Sequence, residues 1–197
     1  MANQQHLEYI KTLSAKQWND WRNDNPHILP DLRGADLRGL NLSGFNLKEA
    51  DLTGANLSQA SLSNANLSKT ILFRANLSRV YAGDTDFSVT NAQDANFFGA
   101  HLVGSDFSRA KLMGANLQQA NASDCFFITA RLTYACLRKG VFKKACFLEA
   151  NLEEADFREA ILIQADFSLA KLKNANFIAA TLTDVIFEDL QVSLASA

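Results

Sequence analysis

Residues 150–169 read ANLEEADFREAILIQADFSL. Leu152, Phe157, Leu162 and Phe167 stand five apart, and Ala150, Ala155, Ala160 and Ala165 precede them by two. Outward from this stretch the phase holds without a slip from Leu32 to Phe187. Of the 32 positions in that series 29 are Leu or Phe, so the period belongs to the chain and not to one stretch. The exceptions are Ala82, Ala92 and Ala122. Ala sits two residues earlier in 21 of the 31 cases from position 35 to 185, and the residue between is often Asn or Asp.

A period of five fits neither regular element. Five helical steps of about 100° smear the apolar residues around a cylinder. Strict alternation puts the next apolar residue on the wrong face of a strand. A broken chain fits. Ala and Leu/Phe, two apart, point the same way along a short extended piece, with the residue between them pointing out. The remaining two residues turn a corner, where Ser, Gly, Lys, Gln and Glu recur. Repeated corners wind the backbone into a solenoid. Phe at 87, 107, 127, 147, 167 and 187 recurs every 20 residues, and Phe97, Phe157 and Phe177 fall midway. Intervals of 15 show no such order. Four sides with 20 residues per coil is the simplest fit, with Phe on two opposite faces and Leu on the others. Eight coils spaced by about 4.8 Å give a rod roughly 38 Å long.

This pattern resembles the pentapeptide-repeat family, whose motif is Ala-(Asp/Asn)-Leu-X-X with the Leu or Phe central. The resemblance covers about four-fifths of the chain and implies an all-β solenoid, a right-handed quadrilateral parallel β-helix. The handedness comes from the resemblance alone. The departures are local: Leu40, Phe45, Thr70, Val80, Thr85, Thr90, Ser105, Cys125, Gly140 and Val185 replace Ala. Leu40 and Phe45 lie in the first coil, where larger side chains can meet a cap. Phe142 follows Gly140 and stacks over Ala122, which reads as volume compensation.

Residues 1–29 lack the repeat and are expected to form a helical cap, ahead of a β-helix over 30–190 and a tail over 191–197. Leu7, Ile10 and Leu13 recur at helical spacing. Ser14 and Gln17 make a capping box, and Leu13 and Trp18 take the hydrophobic-staple positions. Two helices follow, over 3–12 and 15–24, ended by Asn25-Pro26. The first coil of a β-helix exposes open edges and an apolar cross-section. Trp18 and Trp21 are suited to cover it. The run from Trp18 to Pro26 resembles the leader of cyanobacterial members of the family. A partner-binding arm is the alternative.

Composition narrows the function. The chain has 197 residues, 19 basic and 21 acidic. No run of 18 apolar residues predicts a membrane span. The N-terminus lacks a basic segment followed by an apolar one, so a cytoplasmic protein is expected. His6, His27 and His101 have no second ligand at metal spacing and read as surface residues. Cys125 replaces an inward Ala and reads as core, while Cys136 and Cys146 fall in outward slots. No phosphate loop, zinc-protease or nucleophile-elbow motif occurs. These readings give no enzyme and no cofactor.

Arg138, Lys139, Lys143 and Lys144 precede Glu149, Glu153, Glu154 and Glu159, which reads as a solvated surface of mixed sign. Asp36, Asn56, Asn76, Asn96 and Asn116 are expected to form a ladder on one face. Phe126, Ile128, Val141, Leu148, Ile161, Ile163, Leu169 and Ile186 fall in outward or corner slots of two adjacent faces. If contiguous they form a candidate interface. The leading expectation is a non-enzymatic scaffold that binds a protein partner, with homodimerisation through the C-terminal end. The resemblance offers an alternative, a DNA-mimicking modulator of gyrase, a type II topoisomerase. Mimicry wants a strongly negative rod. Here residues 31–110 carry 7 basic and 8 acidic side chains and residues 111–190 carry 9 and 10. Direct nucleic-acid binding is disfavoured by the same balance.

Overall fold

The computed structural model describes residues 2–189. The tail over 191–197, and Leu190 before it, lie outside the described residues. Two helices come first, α1 (Gln4–Thr12) and α2 (Ala15–Asp24). Eight coils follow, the first over 30–49 and each later one 20 residues on, to 170–189. Parallel bridges join every outward residue to the one 20 positions later, in an unbroken series from Asp31–Asp51 to Asp166–Ile186. That register makes four faces. We call them A to D, centred in the first coil on Leu32, Leu37, Leu42 and Leu47.

The five-residue unit places all five of its backbone N–H groups, and this explains the motif. In the second unit of face A, the Asp51 N–H reaches back to the Pro30 carbonyl (2.8 Å) and the Leu52 and Gly54 N–H groups reach forward to Ile71 and Phe73 (2.7 and 2.9 Å). The Ala55 N–H closes the corner onto the Leu52 carbonyl (2.9 Å). The fifth, from Thr53, is accepted by the Asp51 side chain at 2.9 Å. Asn or Asp therefore stands between Ala and Leu because its side chain satisfies a donor that the ladder leaves over. The residue before each inward Ala sits at positive φ, as in Gly54 (65°), Gln59 (60°) and Asn64 (57°). Only the second of the two corner residues does so, which is the signature of a type II turn.

The interior is filled by stacked side chains. Phe87, Phe107, Phe127, Phe147 and Phe167 stack down face D with centroids 4.6–5.2 Å apart. Phe97 and Phe157 on face B meet them edge-on across the core, at 6.0 Å from Phe87 and 5.7 Å from Phe147. Phe is thus concentrated on opposed faces, as its intervals predict. Where the central residue shrinks to Ala, its neighbours grow. Ala82 lies between Val80 and Thr85, Ala92 follows Thr90, and Ala122 precedes Cys125 under Phe142. A Cβ at Gly140 would lie 2.5 Å from Phe142 Cε2, so the missing methyl makes room for that ring. The polar replacements are satisfied. The Thr70 and Thr90 hydroxyls pair at 2.8 Å, and the Thr85 hydroxyl and Cys125 thiol donate to the Leu62 and Leu102 carbonyls at 2.8 and 2.9 Å.

The helices cross the start of the stack. Asn3 caps α1 by accepting from the His6 N–H, and Ser14 with Gln17 forms the capping box of α2. Trp18 is fully buried against Phe45, with centroids 6.0 Å apart. On face D the Trp18 Nε1–H donates to the Asn46 carbonyl (2.8 Å) and the Asn46 N–H donates to Asn19 Oδ1 (2.7 Å). On face A the Asn3 N–H donates to the Asp31 carbonyl (3.0 Å) and the Asp31 N–H to His6 Nδ1 (3.0 Å). The Asn3 backbone and the His6, Trp18 and Asn19 side chains thus take the place of a preceding coil. They also correct one expectation: His6 is buried and not a surface residue, because this edge needs an acceptor. His27 and His101 are exposed.

Candidate interaction surface

The outward surface is four flat columns of side chains set by the register. On face B the Asn side chains form a ladder. The Asn76, Asn96 and Asn116 amides each donate to the Asn one coil earlier, at 3.2, 3.3 and 3.1 Å. Asp36 stands apart and takes Arg38 on both oxygens at 2.7 Å, which holds its carboxyl down to about 2. On face B of the sixth coil Arg138 and, at its corner, Lys139 each lie 3.5 Å from Glu159, so that part of the basic group is neutralised one coil on. Cys125 is buried with its thiol pushed up to about 12 by desolvation, and all three cysteines are free. Among the described residues no group of three or more His, Cys, Asp or Glu side chains could hold a metal ion.

The eight candidate interface residues separate into clusters. Phe126 bridges to Cys146 on face D, and Ile128 and Leu148 occupy the next column of the same two coils. Val141 bridges to Ile161 on face C, and Ile163 stands two residues further on. Asp124, Lys144 and Gln164 fill the corner between these faces. Asp166 separates Ile186 from the Phe126 block, and Leu169 lies at the far corner of face D. Phe126 and Ile186 are 46% and 43% exposed, and Ile128, Val141, Leu148, Ile161 and Ile163 are half-buried. The residues thus form two patches and two outliers, and not one sheet.

These positions conflict with the needs of the fold. Phe126, Val141, Cys146, Ile161 and Ile186 occupy the slot where Asn or Asp would accept an N–H. The N–H groups of Ile128, Lys143, Leu148 and Ile163 consequently have no protein acceptor among the described residues. Each such replacement gives up a hydrogen bond worth about 0.5–1.5 kcal/mol. Cross-strand contacts in the same column, as between Val141 and Ile161, offset part of that loss.

Other features escape a reading of the sequence. Tyr81 and His101 stack at 4.9 Å on face C, both exposed. Their shared column, 20 residues apart, was the available signal. Tyr134 and Ile178 are 65% and 70% exposed at corners. In the last coil Leu182 and Phe187, inward by the pattern, remain 41% and 39% exposed.

The chain is thus a four-sided parallel β-helix with a helical N-terminal segment. A family model for pentapeptide repeats matches residues 31–68, 70–109, 110–147 and 150–189, in 8 copies, and the chain belongs to that family. No curated protein matches it at a significant level. Among solved structures, the cyanobacterial HetL from Nostoc sp. strain PCC 7120, a pentapeptide repeat protein involved in heterocyst differentiation regulation, is 24% identical. That match covers 85% of this chain and 93% of HetL, with a TM-score of 0.36. QnrB1, a plasmid-mediated fluoroquinolone resistance protein, is 20% identical over 80% of this chain and 86% of its own, with a TM-score of 0.51. This second likeness is one of fold. No helix among the described residues is long and apolar enough to cross a membrane.

Proposed function

We propose that the chain is a non-enzymatic interaction module, a rigid cytoplasmic rod that binds a protein partner through the apolar patches of faces C and D. The observation that carries this is the clustering of apolar side chains, Phe126, Val141 and Ile161 in slots that elsewhere hold Asn or Asp, with Ile128, Leu148 and Ile163 at the corners beside them. Contiguous apolar surface at such positions marks an interface. Phe126 with Ile128 and Leu148 is its aromatic anchor. A second copy is the first partner to test, because Leu182 and Phe187 leave the C-terminal end apolar and a two-fold contact would cover it. Light scattering of the full chain at several concentrations, with Phe126→Lys and Ile163→Lys, measures this. Concentration-dependent dimers weakened by either variant support self-association through the end and the adjoining patch. A strict monomer removes the dimer. Capture from the native host then decides the wider reading, which fails if both variants retain the same proteins as wild type.

A second reading, modulation of gyrase by DNA mimicry, draws on the likeness to a fluoroquinolone resistance protein and on one local feature. Asp84, Asp86, Asp106 and Asp124 line the edge between faces C and D over three coils, and none is in an ion pair among the described residues. Four carboxylates on an otherwise balanced rod offer little imitation of a duplex phosphate row. A supercoiling assay with purified gyrase tests it, and an unchanged rate removes it.

A further inference from the structure

The helices cover only half of the first coil's lower edge. Faces A and D have their N–H and C=O groups filled by Asn3, His6, Trp18 and Asn19. On faces B and C the equivalent groups belong to Asp36 and Asn41. Neither backbone has a partner among the described residues, although both residues are bridged to the coil above through their neighbours. Two shallow hollows of about 660 and 440 Å³ lie along this edge, between α1 and the first coil, and both are lined by Lys11 and Asp36. Leu7 and Ala35 line the smaller and Leu40 the larger. Leu40 occupies a slot that is Ala in most coils and is only half-buried.

We propose that the edge at Asp36 and Asn41 is an addition site for an acidic peptide segment of a protein partner, extended along face B and again along face C and bent between them as the coil itself bends at Arg38 and Gly39. An added strand supplies the N–H and C=O groups that the unfilled positions lack, at the spacing the ladder already uses. Its alternate side chains point to opposite sides. One set, small and apolar, packs on Leu40, Ala35 and Leu7, and the other faces the rim. Charge sets the sign of that rim. Arg38 is held by Asp36, and Lys11 is in no ion pair among the described residues. A carboxylate on the peptide pairs with Lys11. The inference rests on the protein-binding reading only in that the ligand is a polypeptide, and its site is separate from the patches of faces C and D.

Fluorescence anisotropy on the full chain tests it with a labelled octapeptide, Ala-Glu-Val-Ser-Gly-Ala-Glu-Val, whose Ser-Gly pair takes the corner, and its counterpart with Lys in place of Glu. The acidic peptide is expected to bind saturably and at least about tenfold more tightly than the basic one, and Lys11→Glu to invert that preference. Asn41→Pro deletes one unpaired donor, and the bonds to the coil above are made by Leu40 and Leu42. It is expected to weaken binding at least about tenfold relative to Asn41→Ala, which loses the same Ser43 N–H to Asn41 Oδ1 bond (3.1 Å) but keeps the backbone donor. Hydrogen exchange at the Asp36 and Asn41 amides, read by NMR, is expected to slow in the wild-type complex, which decides the matter even if the Pro variant folds poorly. No saturable binding, binding indifferent to Asn41→Pro, or protection confined to other amides overturns the proposal. None of these outcomes touches the lateral-face reading, which stands or falls on Phe126→Lys and Ile163→Lys.

Discussion

At the residue scale, the corners hold the most unusual chemistry. Val89 and Thr129 are β-branched yet sit at φ 59° and 54°, and Tyr134 sits at 60°. A left-handed conformation costs a non-glycine residue about 1–2 kcal/mol. It persists because the same residue is fixed on both sides. The Val89 N–H donates to the Ser108 carbonyl at 2.9 Å, and the next N–H, from Thr90, closes the turn onto Phe87 at 3.2 Å. Val89→Asn keeps both bonds and relieves the β-branch, so it is expected to raise stability by about 1 kcal/mol, read from the denaturant midpoint. Gly140 makes the converse point. Gly140→Ala drives a methyl into the Phe142 ring and is expected to cost about 1–3 kcal/mol. In a Phe142→Leu background the same change should cost almost nothing, and a double-mutant cycle measures the coupling. The Gly140–Phe142 pairing was legible in the sequence because both residues break the pattern in one unit. The strain at Val89 had a signal that went unread, since seven of the nine glycines, Gly34 and Gly54 among them, stand in the second corner slot and mark it as the left-handed one.

At the scale of elements, the coils follow from spacing, the two helices from their caps, and each lies within a residue of where the pattern puts it. The contacts between helix and coil do not follow. His6 looks like any exposed histidine on an amphipathic helix, and only the open edge of the first coil gives its ring a task. Its Nδ1 must be unprotonated to accept the Asp31 N–H, and burial lowers its pKa from the ordinary 6.5 ahead of the opposing pull of Asp31 and the push of Arg22. The folded state therefore prefers neutral His6. Its contribution is complete above the unfolded value and is lost as pH falls from about 6.5 towards the lower folded one. The melting temperature should drop between pH 7 and pH 5, and His6→Gln, which cannot charge, should show a smaller drop. An equal drop in both proteins would assign the effect to other groups. The candidate surface was half legible. Outward slots could be counted, but the corner of Asp124, Lys144 and Gln164 that parts the two patches matters only once the faces are known.

At the scale of the whole molecule, the rod has a closed flank, a half-covered start and a last coil that leaves Leu182 and Phe187 accessible. Its charge is close to balanced, so no long-range field steers a partner to it. Recognition falls to shape, apolar contact and backbone edges. Each coil touches only its neighbours, so the stack can lengthen or shorten without a new core. Removing residues 50–69, one complete turn through all four faces, is expected to leave a folded rod shorter by about 4.8 Å. Scattering and circular dichroism measure that. Removing only two residues from the same coil should abolish cooperative folding, because downstream the second corner residue of each unit falls in the central inward slot and the inward Ala falls at a corner.

The uniform step of 20 along the bridges also gives the chain two reading frames. Five is the frame of the fold, and 20 is the frame of azimuth. In the first two coils every central residue is Leu, so excising residues 50–54 alone keeps the interior in phase. It swings everything above the cut by a quarter turn about the axis. The groove beside α1 and the patch around Ile163 then point to different quarters of the compass. A partner that grips both would keep its hold on the 20-residue deletion and lose it on the five-residue one, although the shorter excision disturbs the protein less. Indels in such a chain are hinges of orientation, and their lengths modulo 20 record which relatives still present the same two surfaces to the same side.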